Sequence, residues 1–158
     1  MSDVYELAIS VDLRDELSEQ ELDELRWHLG IGPQPERLSI VTAFPFVAED
    51  DSGELVVADD PRPLLAGVDA AGQVVGVLCS MPADRAELIG QGWTLTARLE
   101  IHPDEFDQVG ELIRWLAVRA HDTHSHAEGV VSLGCLRFCE DLVPEALQVV
   151  NGRVMWPE

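Results

Sequence analysis

Five residues carry side chains that could work on a small ligand: Asp12, Arg14, Arg98, Glu100 and His102. Each falls at a polar position in or just after a stretch where polar and apolar residues alternate. An arginine such as Arg98 can grip a carboxylate with both arms of its guanidinium. A histidine such as His102 titrates near neutral pH and suits a general base. If the two stretches pair about a pseudo-twofold axis, Ser10 falls near Arg98 and Glu6 near His102. The same pattern also describes cross-strand charge pairs on a wet sheet face, or the covered face of a dimer.

A second group, His121, Asp122, His124 and His126, packs three imidazoles and a carboxylate into six positions. Those donors suit zinc, copper or nickel. Their spacing matches no compact site, however, and the segment reads as a loop behind a helix, where the helix dipole favours histidine. No cofactor is expected. The three cysteines, Cys79, Cys135 and Cys139, lie in apolar strand contexts and are expected to be reduced, buried and inert. The sequence contains no G-x-S-x-G elbow, P-loop, HExxH or dinucleotide-binding fingerprint. Whether the chain is an enzyme stays open at this level.

Trp27 and Trp115 lie off the apolar stripes of their helices. A large aromatic in that position needs a cover. The expected covers are a loop such as 61–65 or a subunit or partner, so both are interface candidates. Arg26 and Arg114, one residue earlier in each case, could stack on the indoles or pair with acids.

The elements that must position these residues read clearly in places. In 93–101, Trp93, Leu95, Ala97, Leu99 and Ile101 alternate with polar residues, the period of a half-buried strand. Pro103 ends it, and Asp104 is the expected N-cap of a helix over 105–120 with a broad apolar stripe. Shifting back by 88 positions aligns Leu95 with Leu7, Gln108 with Gln20, Arg114 with Arg26 and Trp115 with Trp27. The earlier copy alternates over 5–13, opens a helix over 18–29 with a Ser18/Glu21 capping box, and ends it at Gly30. Strands are expected at 38–46 and 130–138, which would complete pseudo-repeats 5–46 and 93–138.

Between the copies, an insertion at 47–92 carries an acidic turn at 49–53, a short strand at 54–58, a hairpin of 65–69 with 73–80, and a helical turn at 83–90. Asn151-Gly152 marks a C-terminal hairpin over 146–156. Two strand–helix–strand units in one sheet imply an α+β, ferredoxin-like fold, with two helices on one face of a mostly antiparallel sheet. The alternative, a pair of βαβββ modules, resembles the vicinal-oxygen-chelate enzymes in layout only. Their metal ligands recur on the module strands, and no matching His/Glu set occurs here.

With 158 residues the chain is read as one domain, 1–158. It has 30 acidic and 10 basic residues and a formal charge of −20. All ten basic residues are arginine. That charge opposes binding to nucleic acid or to an anionic membrane. No apolar run approaches a membrane span, and the N-terminus lacks a signal-peptide pattern. The expectation is a cytoplasmic homodimer acting as a non-enzymatic interaction or regulatory protein of inhibitor or immunity type, facing a basic protein partner. The competing expectation is a small-molecule-binding protein or enzyme that uses the polar face of the central strands.

Overall fold

Alternation over 5–14 and 92–101 produces the two longest strands of the protein. A computed structural model describes residues 3–68 and 70–157; Asp69, which falls within the expected 65–69 strand, lies outside the described residues. The elements are β1 (Tyr5–Arg14), α1 (Glu19–His28), β2 (Pro45–Glu49), β3 (Leu55–Asp59), β4 (Val77–Ser80), α2 (Ala83–Ile89), β5 (Gly92–Ile101), α3 (Phe106–Arg119), β6 (Ser125–Ala127), β7 (Val130–Phe138), β8 (Glu145–Val150) and β9 (Arg153–Val154). The chain is α+β. Seven strands form an antiparallel sheet in the order β4-β5-β1-β7-β8-β9, with β6 beside β7, and β2 and β3 form a separate ribbon. Among the described residues no helix is long and apolar enough to cross a membrane.

β1 and β5 pair over their full length, with Leu7 opposite Leu99, Ile9 opposite Ala97 and Val11 opposite Leu95. Residues directly opposite share a face. One face of the sheet is therefore apolar, and the stripes of α1 (Leu25, Leu29) and α3 (Val109, Leu112, Ile113, Leu116) join it in a single buried cluster. β7 lies on the other side of β1 as far as Ile9 opposite Gly134. Gly134 has φ 151°, and a Cβ there would fall 1.9 Å from the Ala8 carbonyl oxygen. Only glycine lets these two backbones lie so close.

The helix ends follow local chemistry. The Ser18 hydroxyl accepts from the Glu21 amide at 3.1 Å, and the Glu21 carboxylate accepts from the Ser18 amide at 2.9 Å. At the other end Gly30, with φ 76°, donates to the Trp27 carbonyl while Ile31 donates to that of Arg26. This is the Schellman pattern. The start of α3 differs from expectation. A short 3-10 turn, Pro103–Glu105, precedes it, and His102 rather than Asp104 is the cap. His102 Nδ1 accepts from the Asp104 amide at 3.2 Å, and Glu105 accepts from the His102 amide at 2.9 Å. Proline inserted between strand and helix tightens the first turn and moves the cap back by two residues.

The C-terminal residues close the far end of the core. The turn between β8 and β9 places Asn151 at φ 49° and Gly152 at φ 79°, as a two-residue primed turn requires. It carries Trp156 onto α3, where its ring stacks on Phe106 at 4.1 Å between centroids. Tyr5 meets Phe106 edge-on from β1 at 5.5 Å.

No strand covers 38–46. Residues 38–44 form an irregular segment, and 45–49 pairs with 55–59 instead of joining the sheet. The cause lies in α1. Glu24 and His28 are both 0% exposed. The Glu24 carboxylate accepts from three consecutive amides, those of Ser39, Ile40 and Val41. Successive N–H groups of a strand point to opposite sides and cannot converge on one carboxylate. His28 Nε2 lies 3.2 Å from Glu24, and its Nδ1 accepts from the Leu64 amide at 3.3 Å. Nδ1 must therefore be unprotonated, and Nε2–H donates to Glu24. The first strand–helix unit thus ends in a pinned loop. The strand flanking β5 on its outer side is β4.

Burial works against the Glu24 charge, but the hydrogen bonds from His28 and from the Ile40, Val41 and Ser39 amides outweigh it, holding the carboxyl below its ordinary value of 4.5. A carboxyl depressed in the folded state stabilises the protein above its unfolded pKa and stops doing so as pH falls through the folded one. Glu24→Gln should cost about 3 kcal/mol at pH 7, and the deficit relative to wild type should shrink as the pH is lowered below 4.5. Urea unfolding of both proteins at several pH values checks this. Gly110 sits mid-helix with open contact, a Cβ meeting the Trp156 ring at 3.6 Å. Gly110→Ala should therefore raise stability by about 0.5–1 kcal/mol, read by the same titration.

Candidate functional site

The reverse face of the sheet carries the polar positions of β1 and β5. Asp12 stands opposite Thr94, Ser10 opposite Thr96, Ala8 opposite Arg98 and Glu6 opposite Glu100. Asp12 and Arg98 therefore share a face, four residues apart along the ladder, or roughly 13 Å. The expected pairings are displaced. Ser10 meets Thr96 and not Arg98, and Glu6 meets Arg98 and not His102, because the register brings Ile9 against Ala97. His102 is spent capping the turn before α3. Asp12 lies at one end of the face and Arg98 with Glu100 at the other, while Arg14 turns to α3 and His102 to the turn that follows β5.

At one end Glu6 is held between two arginines. Arg98 Nε donates to Oε1 at 3.0 Å, Arg98 Nη2 donates to the same oxygen, and Arg137 Nη2 donates to Oε2 at 3.0 Å. The bond from Arg98, then that from Arg137, draws the Glu6 carboxyl below its ordinary value, against a smaller effect of burial. Beside this group lies a cleft of about 650 Å³ lined by Glu6, Arg98, Glu100 and the 66–75 segment. Its described lining holds two carboxylates and a guanidinium, with no histidine, cysteine or hydroxyl side chain. It can bind a polar group.

At the other end Asp12 is buried, not free. Arg85, reaching in from α2, donates to Oδ2, and the Thr94 hydroxyl donates to Oδ1 at 3.2 Å. Arg14 donates to the Val118 carbonyl, one of the last four of α3, where a cation is favoured. β7 has by this point bent away at its Ser132/Gly134 bulge, and His124 fills the gap. Its Nε2 accepts from the Asp12 amide at 2.9 Å, and its Nδ1 lies 3.1 Å from the Ser132 carbonyl. Nδ1–H must therefore donate to Ser132. The imidazole stands in for a missing rung between two strands.

That use of His124 takes it away from metal chemistry. His121, Asp122, His124 and His126 do not converge, and no group of three or more His, Cys, Asp or Glu among the described residues could hold a metal ion. The segment is a 3-10 turn and the short strand β6, not a free loop. His121 packs against Gly92, where a Cβ would lie 3.0 Å from its Nε2. That nitrogen is buried without a hydrogen-bond partner, and nothing in the fold explains the cost.

Trp27 is not an outward contact. Trp27 is 5% exposed, packed on His28 and edge-on to Phe44. The loop pinned by Glu24 folds over that side of α1 and brings Phe44 with it. Trp115 is half-buried under Arg119, whose guanidinium lies 3.9 Å above the ring and pairs with Glu21 across to α1. The thiols depart from expectation as well. Cys79 and Cys139 are exposed and Cys135 is half-buried. Cys79 faces the bare side of edge strand β4, and Cys139 follows the end of β7.

The surface that sequence reading missed is the β2–β3 ribbon. Val47 stands opposite Val57, and Val47, Leu55 and Val57 are 65%, 76% and 74% exposed. Its tip is Glu49, Asp50, Asp51 and Glu54. Asp50 Oδ1 accepts from the Ser52 hydroxyl at 2.7 Å and from the Ser52 and Glu54 amides at 2.9 Å. The Ser52 hydroxyl bond, then the Glu54 amide, lower the Asp50 carboxyl pKa. The signal was present: two apolar runs around a short Asp/Ser/Gly turn. It was obscured by placing the first run in the sheet.

His124→Ala should leave the Asp12 amide and the Ser132 carbonyl without partners, at a cost of about 2 kcal/mol. Hydrogen exchange at the Asp12 amide should accelerate with the loss of global stability or beyond it, and an unchanged rate would refute the bridging role. Comparison with protein-family models, with curated proteins and with solved structures returns no match.

Proposed function

We propose that this chain is a non-enzymatic protein-interaction module, a regulator of inhibitor or immunity type, that engages a basic protein through the β2–β3 ribbon. The observation that carries this is the exposure of Val47, Leu55 and Val57 on a ribbon with which no other strand pairs among the described residues. A two-stranded ribbon is marginal in water by itself, and three apolar side chains standing out on one of its faces call for a partner. Two further features support it. The tip bears four acids and is pre-ordered by Asp50, which lowers the ordering cost of binding. The chain's formal charge of −20 would steer a cationic partner toward it.

Within this proposal the protein is cytoplasmic and works as a homodimer. Its fold is a divergent ferredoxin-like duplication in which β4 takes the sheet position intended for 38–46. The order β4-β5-β1-β7 supports that assignment, as does the common cluster of α1 and α3 on one face. The second reading is a small-molecule-binding protein, and the cleft beside Glu6, Arg98 and Glu100 favours it. Arg98 is already engaged by Glu6 there, so a ligand would have to displace an internal ion pair.

Immobilised protein should retain a basic protein from its native lysate at about 50 mM salt and release it near 0.5 M, where screening is strong. Val47→Thr with Val57→Thr keeps β-branched shape and removes apolar surface. It should cut retention at least tenfold without lowering the unfolding midpoint by more than a little. The acid-tip variant Glu49→Gln, Asp51→Asn, Glu54→Gln should weaken retention and flatten its salt dependence. A partner held equally by all three proteins at both salt levels would end this reading. Saturable ligand binding abolished by Arg98→Ala would put the cleft in its place.

A further inference from the structure

We propose that two copies of the chain associate through the bare reverse face of the seven-stranded sheet, face to face about a twofold axis. The inference rests on the homodimer reading and adds the surface. Both large helices lie on the opposite side; α2 and His124 reach this face at its Asp12 end, and Gly67, Val68 and Val75 border it at the Arg98 end. The middle of the face is built from small side chains. Ala8, Ser10 and Thr96 on the central ladder continue into Cys135 and Ala146. A face meant for water commonly carries long charged residues, whereas small ones let two sheets stack at about 10 Å.

Charge selects a second copy as the occupant. Two chains of formal charge −20 repel each other over most of their surface. On this face Asp12 is paired with Arg85 and Glu6 with both Arg98 and Arg137, and Glu100 brings the count to three negative charges against three positive ones. Removing those six from 30 acidic and 10 basic residues leaves 27 against 7, which is the whole −20. The face is neutral and the rest of the molecule carries the net charge. A strongly basic partner would find its complement anywhere except here. A copy of the same chain finds here a sheet surface whose local contact adds no excess of like charge to the repulsion between the two bodies. Glu6 flanked by Arg98 and Arg137 also offers acid and base together, as an isologous contact requires.

The size is adequate. Five strands spaced about 4.8 Å apart and about six residues long span roughly 24 Å by 20 Å, or on the order of 500 Å² of projected area. Side-chain relief raises the accessible area toward the roughly 600 Å² per partner at the lower end of stable interfaces.

Sedimentation velocity on the untagged chain at about 100 µM, in about 0.15 M and 0.5 M salt, tests this. The expected species has twice the chain mass of 17.4 kDa, and it tightens at high salt because salt screens the repulsion between the two acidic bodies. Ser10→Glu and Ala146→Glu are exposed sites that the folded chain tolerates. Each should weaken association at least a hundredfold with an unchanged circular dichroism spectrum. A monomer in both salts would overturn self-association altogether. A dimer indifferent to both substitutions, or one dissolved by Val47→Thr with Val57→Thr instead, would leave self-association standing and overturn this face. Neither result would touch partner binding by the ribbon, which the retention assay reads separately.

Discussion

The Glu24 carboxylate, buried in α1 and closed over by three backbone amides and His28, is the contact on which the upper half of the structure depends. A charge in the interior is costly unless every lone pair finds a donor. Here the donors are consecutive amides of one loop, so satisfying the carboxylate dictates the path of 39–41. His28 then extends the constraint to the Leu64 and Leu65 amides. Two crossing segments are pinned to one helical turn. The pinned loop places Phe44 against Trp27 and sends the following residues outward as the β2–β3 ribbon. Core, covered tryptophan and exposed ribbon are therefore consequences of one glutamate.

A different logic governs the two ends of the sheet. Along β1 the first half is flanked by β7, but the Ser132/Gly134 bulge turns β7 away. The backbone of β1 must then find other partners. Residues 120–124 provide them, through the Ala120 bridge to Leu13, the His121 amide on the Asp12 carbonyl, and the His124 ring on the Asp12 amide. From a histidine cluster that resembles metal ligands in composition, the His124 ring is thereby consumed as backbone repair. Asp12, a ligand candidate by type, is consumed likewise by Arg85 and Thr94.

Electrostatics divides the surface. Where arginines are present on the sheet face they sit against acids. The excess of negative charge is displaced to the helices, loops and ribbon tip. In the proposed reading this division gives one small acidic protein two contact surfaces, a neutral face of small side chains for a like molecule and an apolar ribbon with an acidic end for an unlike, cationic one.

Local pattern determined much of this protein. The alternation of 5–13 and 93–101, the Ser18/Glu21 box, the stripe from Val109 to Leu116 and the Asn151-Gly152 turn each depend on residues within a turn or two of one another. Their physics is complete before the chain folds, and the α+β class follows from them. Tertiary structure decided the rest, because the deciding partners are far apart in the chain. The run 38–46 is apolar enough for a strand, but Glu24, about 16 positions earlier, claims its amides. Trp27 lies off its helical stripe, yet a loop held by that same glutamate covers it. Whether Asp12 is a free acid depends on Arg85, 73 residues away, and the fate of His124 on Asp12, 112 residues away. Periodicity reports which face a residue occupies. Only the folded chain shows which distant group has already satisfied it.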